Sequence, residues 1–168
     1  MRIIDFIKYL TAFRPDESEI IASLDEFDEE LILSITDMFD YRVNESIIQY
    51  ESTLLDCIYN TTVYEKGLAN FYFVSTLDDR NFAYTDDDRH FFLEDSKIYL
   101  KYENEYLLIC TSEEDFLYGM IFSFKANMDF SYRRAKSNIN DAINALVEKV
   151  PNSNSDYFVQ RMREQYSG

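Results

Sequence analysis

The chain has 168 residues, 46% of them apolar and 17% aromatic, and its 32 acidic against 16 basic residues leave a formal net charge of −16. A body so anionic repels nucleic-acid phosphates and anionic membrane surfaces, while 14 Phe and 14 Tyr supply a core that global disorder would lack. With no run of about 20 apolar residues for a bilayer span and no signal-peptide pattern in Met1-Arg2-Ile3-Ile4-Asp5, a single cytosolic domain over 1–168 is expected, with Cys57 and Cys110 as reduced thiols.

Residues 1–60 read as helices, because apolar positions recur at spacings of three and four behind capping residues. The first helix spans about 2–13, with Ile3, Phe6, Ile7 and Leu10 on one face. A short second helix opens at Asp16 behind Pro15, and Glu19 three residues on completes a capping-box pattern. The third starts near Asp25 and sets Phe27, Leu31, Ile35, Met38 and Phe39 on one stripe. Asp28, Glu29 and Glu30 lie at its N-terminal end, where the helix dipole favours anions. A fourth begins at Asn44 and stacks Ile47, Tyr50, Leu54, Cys57 and Ile58.

From about Asn70 the apolar period changes to two, with turn chemistry every eight or so residues, which predicts a β-meander over 70–111. Its strands are 70–76, 81–85, 89–94, 97–102 and 105–111, joined at Asp78-Asp79, Asp86-Asp87-Asp88, Asp95-Ser96 and Glu103-Asn104. In the fourth strand Ile98, Leu100 and Tyr102 face inward, and Lys97, Tyr99 and Lys101 outward. Over 112–125, Ser112 with Asp115 suggests a helix cap, whereas Tyr118, Met120, Phe122 and Phe124 alternate like a strand; the cap favours helix. Residues 131–166 are helical. A long amphipathic helix carries Tyr132, Ala135, Ile139, Ala142, Ile143, Leu146 and Val150 as far as Pro151. A polar linker follows, then a last helix over about 156–166 contacting the core through Phe158 and Met162. The expected class is α+β: an N-terminal helical layer on a largely antiparallel β-meander, closed by a long C-terminal amphipathic helix.

Several chemistries are excluded by absence. Gly67, Gly119 and Gly168 are the only glycines, so neither a phosphate-cradling loop nor a dinucleotide turn can be written. One histidine and two cysteines rule out two-histidine and four-thiolate zinc sites. No cofactor is expected. His90, beside Phe91 and Phe92, reads as a satisfied, partly buried side chain.

Asp86, Asp87 and Asp88 could together hold Mg²⁺ or Ca²⁺, although they lack the glycine-centred spacing of calcium loops and read better as a solvated turn. Asp95-Ser96-Lys97, an acid-x-Lys step downstream of them, resembles the metal-binding core of the PD-(D/E)xK nucleases. The resemblance implies carboxylates on Mg²⁺ and Lys97 assisting the attacking water. The competing reading is a hairpin turn on a body that repels DNA.

The charge is uneven, running from −10 over 1–60 through −8 over 61–129 to +2 over 130–168. Between Asp16 and Ser52 there are 12 carboxylates and one base, Arg42. Glu26, Glu30 and Asp37 lie four and seven residues apart, which on a helix makes one anionic ridge. Like-charge crowding costs stability, so a ridge of this kind invites a function: steering a basic protein into contact. The expected activity is that of an immunity protein or antitoxin occluding a basic, nuclease-like partner. The alternatives are a phosphate-mimicking anti-defence protein and the Mg²⁺-dependent nuclease. The expected contacts are Asp25, Glu26, Asp28, Glu29, Glu30, Asp37 and Asp40, with Tyr99 as an aromatic anchor. Arg133, Arg134 and Lys136 fall at the start of the long C-terminal helix, where positive charge opposes the dipole, which predicts tertiary pairing with the acidic body.

Overall fold

Eight helices and five strands are assigned in the computed structural model, which describes residues 1–46, 50–74, 80–134, 138–151 and 155–166. The order is α1 (Ile3–Phe13), α2 (Glu17–Ser23), α3 (Glu29–Met38), α4 (Thr53–Tyr59), α5 (Val63–Lys66), β1 (Tyr72–Phe73), β2 (Asn81–Tyr84), β3 (His90–Glu94), β4 (Lys97–Tyr102), β5 (Glu105–Cys110), α6 (Glu113–Tyr132), α7 (Ile139–Lys149) and α8 (Ser155–Tyr166). The strands form one antiparallel meander in chain order, so the α+β architecture is as expected. The Asp78-Asp79 turn lies outside the described residues. Asp88, Asp95, Ser96 and Glu103 have positive φ, the left-handed backbone that tight hairpin connections use and that Asp and Asn adopt at least cost.

Local chemistry explains where helices begin. At α2 the Glu19 N–H donates to Asp16 Oδ1 at 2.9 Å and the Asp16 N–H to Glu19 Oε2 at 3.0 Å, a complete capping box. At α6 the Asp115 N–H donates to Ser112 Oγ at 3.1 Å, so the 112–125 segment is helix. It alternates like a strand because α6 is buried on nearly every side, between α1, α4, α7, α8 and the sheet, and so needs no single apolar stripe. Ser112→Ala should lower stability by about 1 kcal/mol, read as a lower urea midpoint at unchanged slope.

Three helical expectations are corrected. The fourth helix starts at Thr53 behind the Ser52 cap, not at Asn44. Asn44 instead accepts the Ser46 N–H on its own side chain and donates its backbone N–H to Asn60 O, while Val43 bridges Thr61, so the segment pairs back onto the end of α4. Ile47 lies outside the described residues.

The third helix is capped by Asp28, which accepts the Leu31 N–H at 3.0 Å, three residues later than expected. Its buried face is Ile32 and Phe39 with Ile35 half-buried, leaving Phe27, Leu31 and Met38 in solvent.

The long C-terminal helix is two pieces. α6 runs on to Tyr132 with Arg133 as its C-cap, and α7 restarts behind Asn138, whose side chain accepts the Asn140 N–H. Ala135 and Lys136 lie outside the described residues.

One continuous core unites these elements. α6 lies against the inner sheet face, where Phe116 meets Phe82 and Phe91 at ring-centre distances of 5.4 and 5.6 Å. α8 adds Phe158 and Met162, both buried as expected. In β4, Ile98 and Leu100 do face inward, but Tyr102, at the strand end, is exposed under the Arg89 guanidinium. No described helix is long and apolar enough to cross a membrane.

Candidate functional site

The N-terminal carboxylates gather on α3 and its extended approach, 25–28. Asp25, Glu26, Asp28, Glu29, Glu30, Asp37 and Asp40 are all exposed. Of these seven carboxylates only Asp40 makes an ion pair with a described residue, Arg42, which holds its carboxyl below the usual range. Lys66 donates to the carbonyls of Asp37 and Asp40 at 2.9 and 3.1 Å, a cation at the negative end of the α3 dipole. The expected ridge is corrected in one respect: Glu26 precedes the helix, so only Glu30 and Asp37 share a helical face, seven residues and about 10 Å apart.

Sequence periodicity missed the apolar half of this surface. Phe27 is 72% exposed and Met38 54%, and Leu31 and Leu33 are exposed beside them. The signal was present in Leu31-Ile32-Leu33. Successive helical residues point about 100° apart, so three consecutive apolar residues cannot all reach one core, and here only Ile32 does. The result is a capped, preformed helix whose outward side mixes unpaired carboxylates with large apolar groups.

The remaining expected residues lie elsewhere. Tyr99 is half-buried on the outer sheet face, lining a trough with Phe92 and Tyr106 and no α3 residue. Asp87 is a structural clamp: it accepts from Thr85 Oγ1 at 2.5 Å and pairs with Arg89 at 3.0 Å and Arg161 at 3.2 Å, tying α8 to the β2–β3 turn. Against the strong opposing effect of burial, the Thr85 hydroxyl and then the Arg161 and Arg89 cations hold its carboxyl low. Asp88 bonds His90 Nε2 at 3.0 Å, and the Asn81 amide lies 3.1 Å from Nδ1, so both ring nitrogens of His90 have partners. Asp86 interacts with Tyr72 and raises its phenol above the usual range. Asp95 forms the β3–β4 turn and Lys97 opens β4 opposite Glu94. Among the described residues no group of three His, Cys, Asp or Glu side chains could hold a metal ion. Burial pushes the Cys57 and Cys110 thiols up to about 12, far from a reactive thiolate.

Arg133 pairs with the acidic body as expected, though from the C-terminal end of α6, where the dipole favours it. It bridges Glu19 at 2.7 and 2.9 Å and Asp129 at 3.0 Å, and donates to the Arg14 carbonyl at 3.1 Å. Arg134 donates to Phe130 O and lies over that ring.

No family model, curated protein or solved structure matches this chain.

Proposed function

We propose that the chain is an acidic inhibitory binding protein of the immunity-protein or antitoxin type. It would act in the cytosol by covering the cationic cleft of a nuclease-like partner with α3 and its approach. The observation that carries this reading is the set of exposed, unpaired carboxylates around Phe27, Leu31 and Met38. Carboxylates left unpaired within the fold favour encounter with a basic surface and accelerate it at low salt. Exposed apolar groups at the centre of such a surface supply the burial that charge alone does not.

The test is capture from a source lysate at low and high salt, followed by assay of the captured protein. Salt-sensitive capture of one basic enzyme that loses activity on stoichiometric binding supports the reading. Retention of that inhibition in Glu29→Lys/Glu30→Lys would sink it. Displacement of the partner by duplex DNA would point instead to a phosphate mimic. Mg²⁺-dependent phosphodiester cleavage by the chain itself, lost in Lys97→Ala, would replace inhibition with catalysis.

A further inference from the structure

The chain has a single histidine, the side chain that ordinarily changes charge near neutral pH, and the sheet builds a hydrogen-bonded set around it. The pairing register sets Tyr72, Tyr84, His90, Lys101 and Tyr106 in one row across all five strands, on the face opposite the buried Ala83, Phe91 and Leu100. Tyr72 stacks on Tyr84 at 5.4 Å and Tyr84 on His90 at 6.1 Å. Asn81 joins this face through a β-bulge. Regular alternation from Tyr84 would turn Asn81 inward with Ala83. The bulge between Asn81 and Ala83 instead buries Phe82 and Ala83 together and sets Asn81 outward opposite Phe92, diagonal to His90.

The two ring nitrogens then meet opposite kinds of partner. Nε2 lies 3.0 Å from an oxygen of Asp88, and an ionised carboxylate can only accept, so Nε2 carries the proton of that pair. In the uncharged ring the other nitrogen is therefore an acceptor, and the Asn81 amide nitrogen, 3.1 Å from Nδ1, is the donor that fits it. This orientation leaves Asn81 Oδ1 buried with no hydrogen-bond partner among the described residues, which is unfavourable for an acceptor stripped of water. Three other groups complete the surroundings of the ring: Asp88 from the β2–β3 turn, the Lys101 ammonium across from it on β4 and the Tyr84 phenol stacked on it. Asp86 is engaged by Tyr72, Arg80 by Glu94 at 2.6 Å and Arg89 by Asp87.

We propose that Asn81 and His90 form a proton-operated latch between β2 and β3, in which uptake of a proton on Nδ1 turns the Asn81 side-chain amide over. The proton comes from solvent, onto a side chain that is 37% exposed. The new Nδ1–H cannot face an NH2 group. Rotation about the Cβ–Cγ bond of Asn81 brings Oδ1 round to accept from it, so the oxygen that lacked a partner gains a charge-assisted one. The amide nitrogen takes the buried position in its place. Nε2–H stays on Asp88, now as an ion pair, and the row acquires a positive charge between Tyr84 and Lys101. The latch is separate from α3, so it stands or falls independently of the proposed inhibition.

The test is a pH titration of the isotopically labelled chain by NMR, in which the single histidine identifies itself. Long-range proton–nitrogen correlations read the ring tautomer, and the Asn81 side-chain amide signals report the orientation of that group. The expected result is an Nε2–H tautomer on the alkaline side, with Asn81 amide signals that move at the same midpoint as the ring. Asn81→Asp supplies a carboxylate that accepts from Nδ1–H without turning over, and should raise the midpoint by about one pH unit or more. A thermal melt confirms that this variant is folded, and the signals of the native protein decide the matter if it is not. An Nδ1–H tautomer on the alkaline side, Asn81 signals indifferent to the titration of the ring, or an unchanged midpoint in folded Asn81→Asp overturns the proposal.

Discussion

Gly119→Ala should destabilise the protein by about 1–3 kcal/mol, the range for overpacking a close-packed core, although alanine is the better helix former. A Cβ built at Gly119 would lie 2.2 Å from Cε2 and 2.3 Å from Cδ2 of Phe158, well inside contact distance. The ring cannot simply withdraw. Phe158 is buried on α8, with Phe116 at 5.2 Å, Tyr157 at 5.2 Å and Phe71 at 6.0 Å around it. Relief requires α8 to shift on α6. Phe158→Ala should cost about 3–5 kcal/mol by opening a cavity. In Gly119→Ala/Phe158→Ala the added methyl occupies part of that cavity, so the combined loss should fall short of the sum of the single losses. Urea denaturation of the four proteins reads the cycle. Strict additivity would mean that Gly119 and Phe158 do not share the contact on which the seating of α8 depends.

Arg133→Met should cost about 1.5–3 kcal/mol, the range for losing hydrogen bonds between charged groups, since the Arg133–Glu19 pair is only partly buried. The guanidinium holds Glu19 from α2, Asp129 from α6 and the carbonyl of Arg14 in one cluster, locking the α1–α2 connection onto the end of the central helix. Methionine replaces the packing of the arginine stem but leaves Asp129, itself buried, with Lys125 as its remaining cation. The loss should depend on pH in a definite sense. The hydrogen bonds from Arg133, and a smaller contribution from the Asp16 N–H, hold the Glu19 carboxyl below its ordinary range despite opposing desolvation. A group depressed in the folded state contributes stability above its unfolded pKa, about 4.3 for glutamate, and loses it as pH falls through the folded value. The gap between native protein and Arg133→Met, measured as urea midpoints, should therefore be full near neutrality and narrow below about pH 4. A gap that stays constant into acid would remove Glu19 from the lock.

The two surfaces differ in how their residues are held. On α3, Asp28 caps a helix already formed, so the carboxylates and exposed apolar groups are presented without further ordering of the backbone. On the sheet, the row of rings is fixed by four hydrogen-bonded strand pairs and by mutual stacking. Neither surface needs further ordering of its backbone to present its side chains.

Residues close in sequence made much of the fold legible. The Asp16–Glu19 box and the Ser112 cap act within three residues, and period-two alternation with turn residues located most of the meander. Asn44 misled because its side chain also caps a turn, while the α4 helix starts only behind the Ser52 cap, and Asp25 because Asp28 offered a competing cap three residues on. The rotation of α3 that exposes Leu31 and Met38 was not visible, since Leu31-Ile32-Leu33 permits more than one buried face until a neighbour claims one.

The sequence by itself determined the carboxylate excess, the scarcity of glycine, histidine and cysteine, and the succession of helices and meander, because composition and short-range hydrogen bonding depend on few neighbours. Only the tertiary structure decided that Arg133 meets Glu19 across 114 residues, that Gly119 admits Phe158, and that five residues from five strands form one row. Those relations depend on register and packing accumulated over the whole chain, where a shift of one residue reverses which face a side chain occupies.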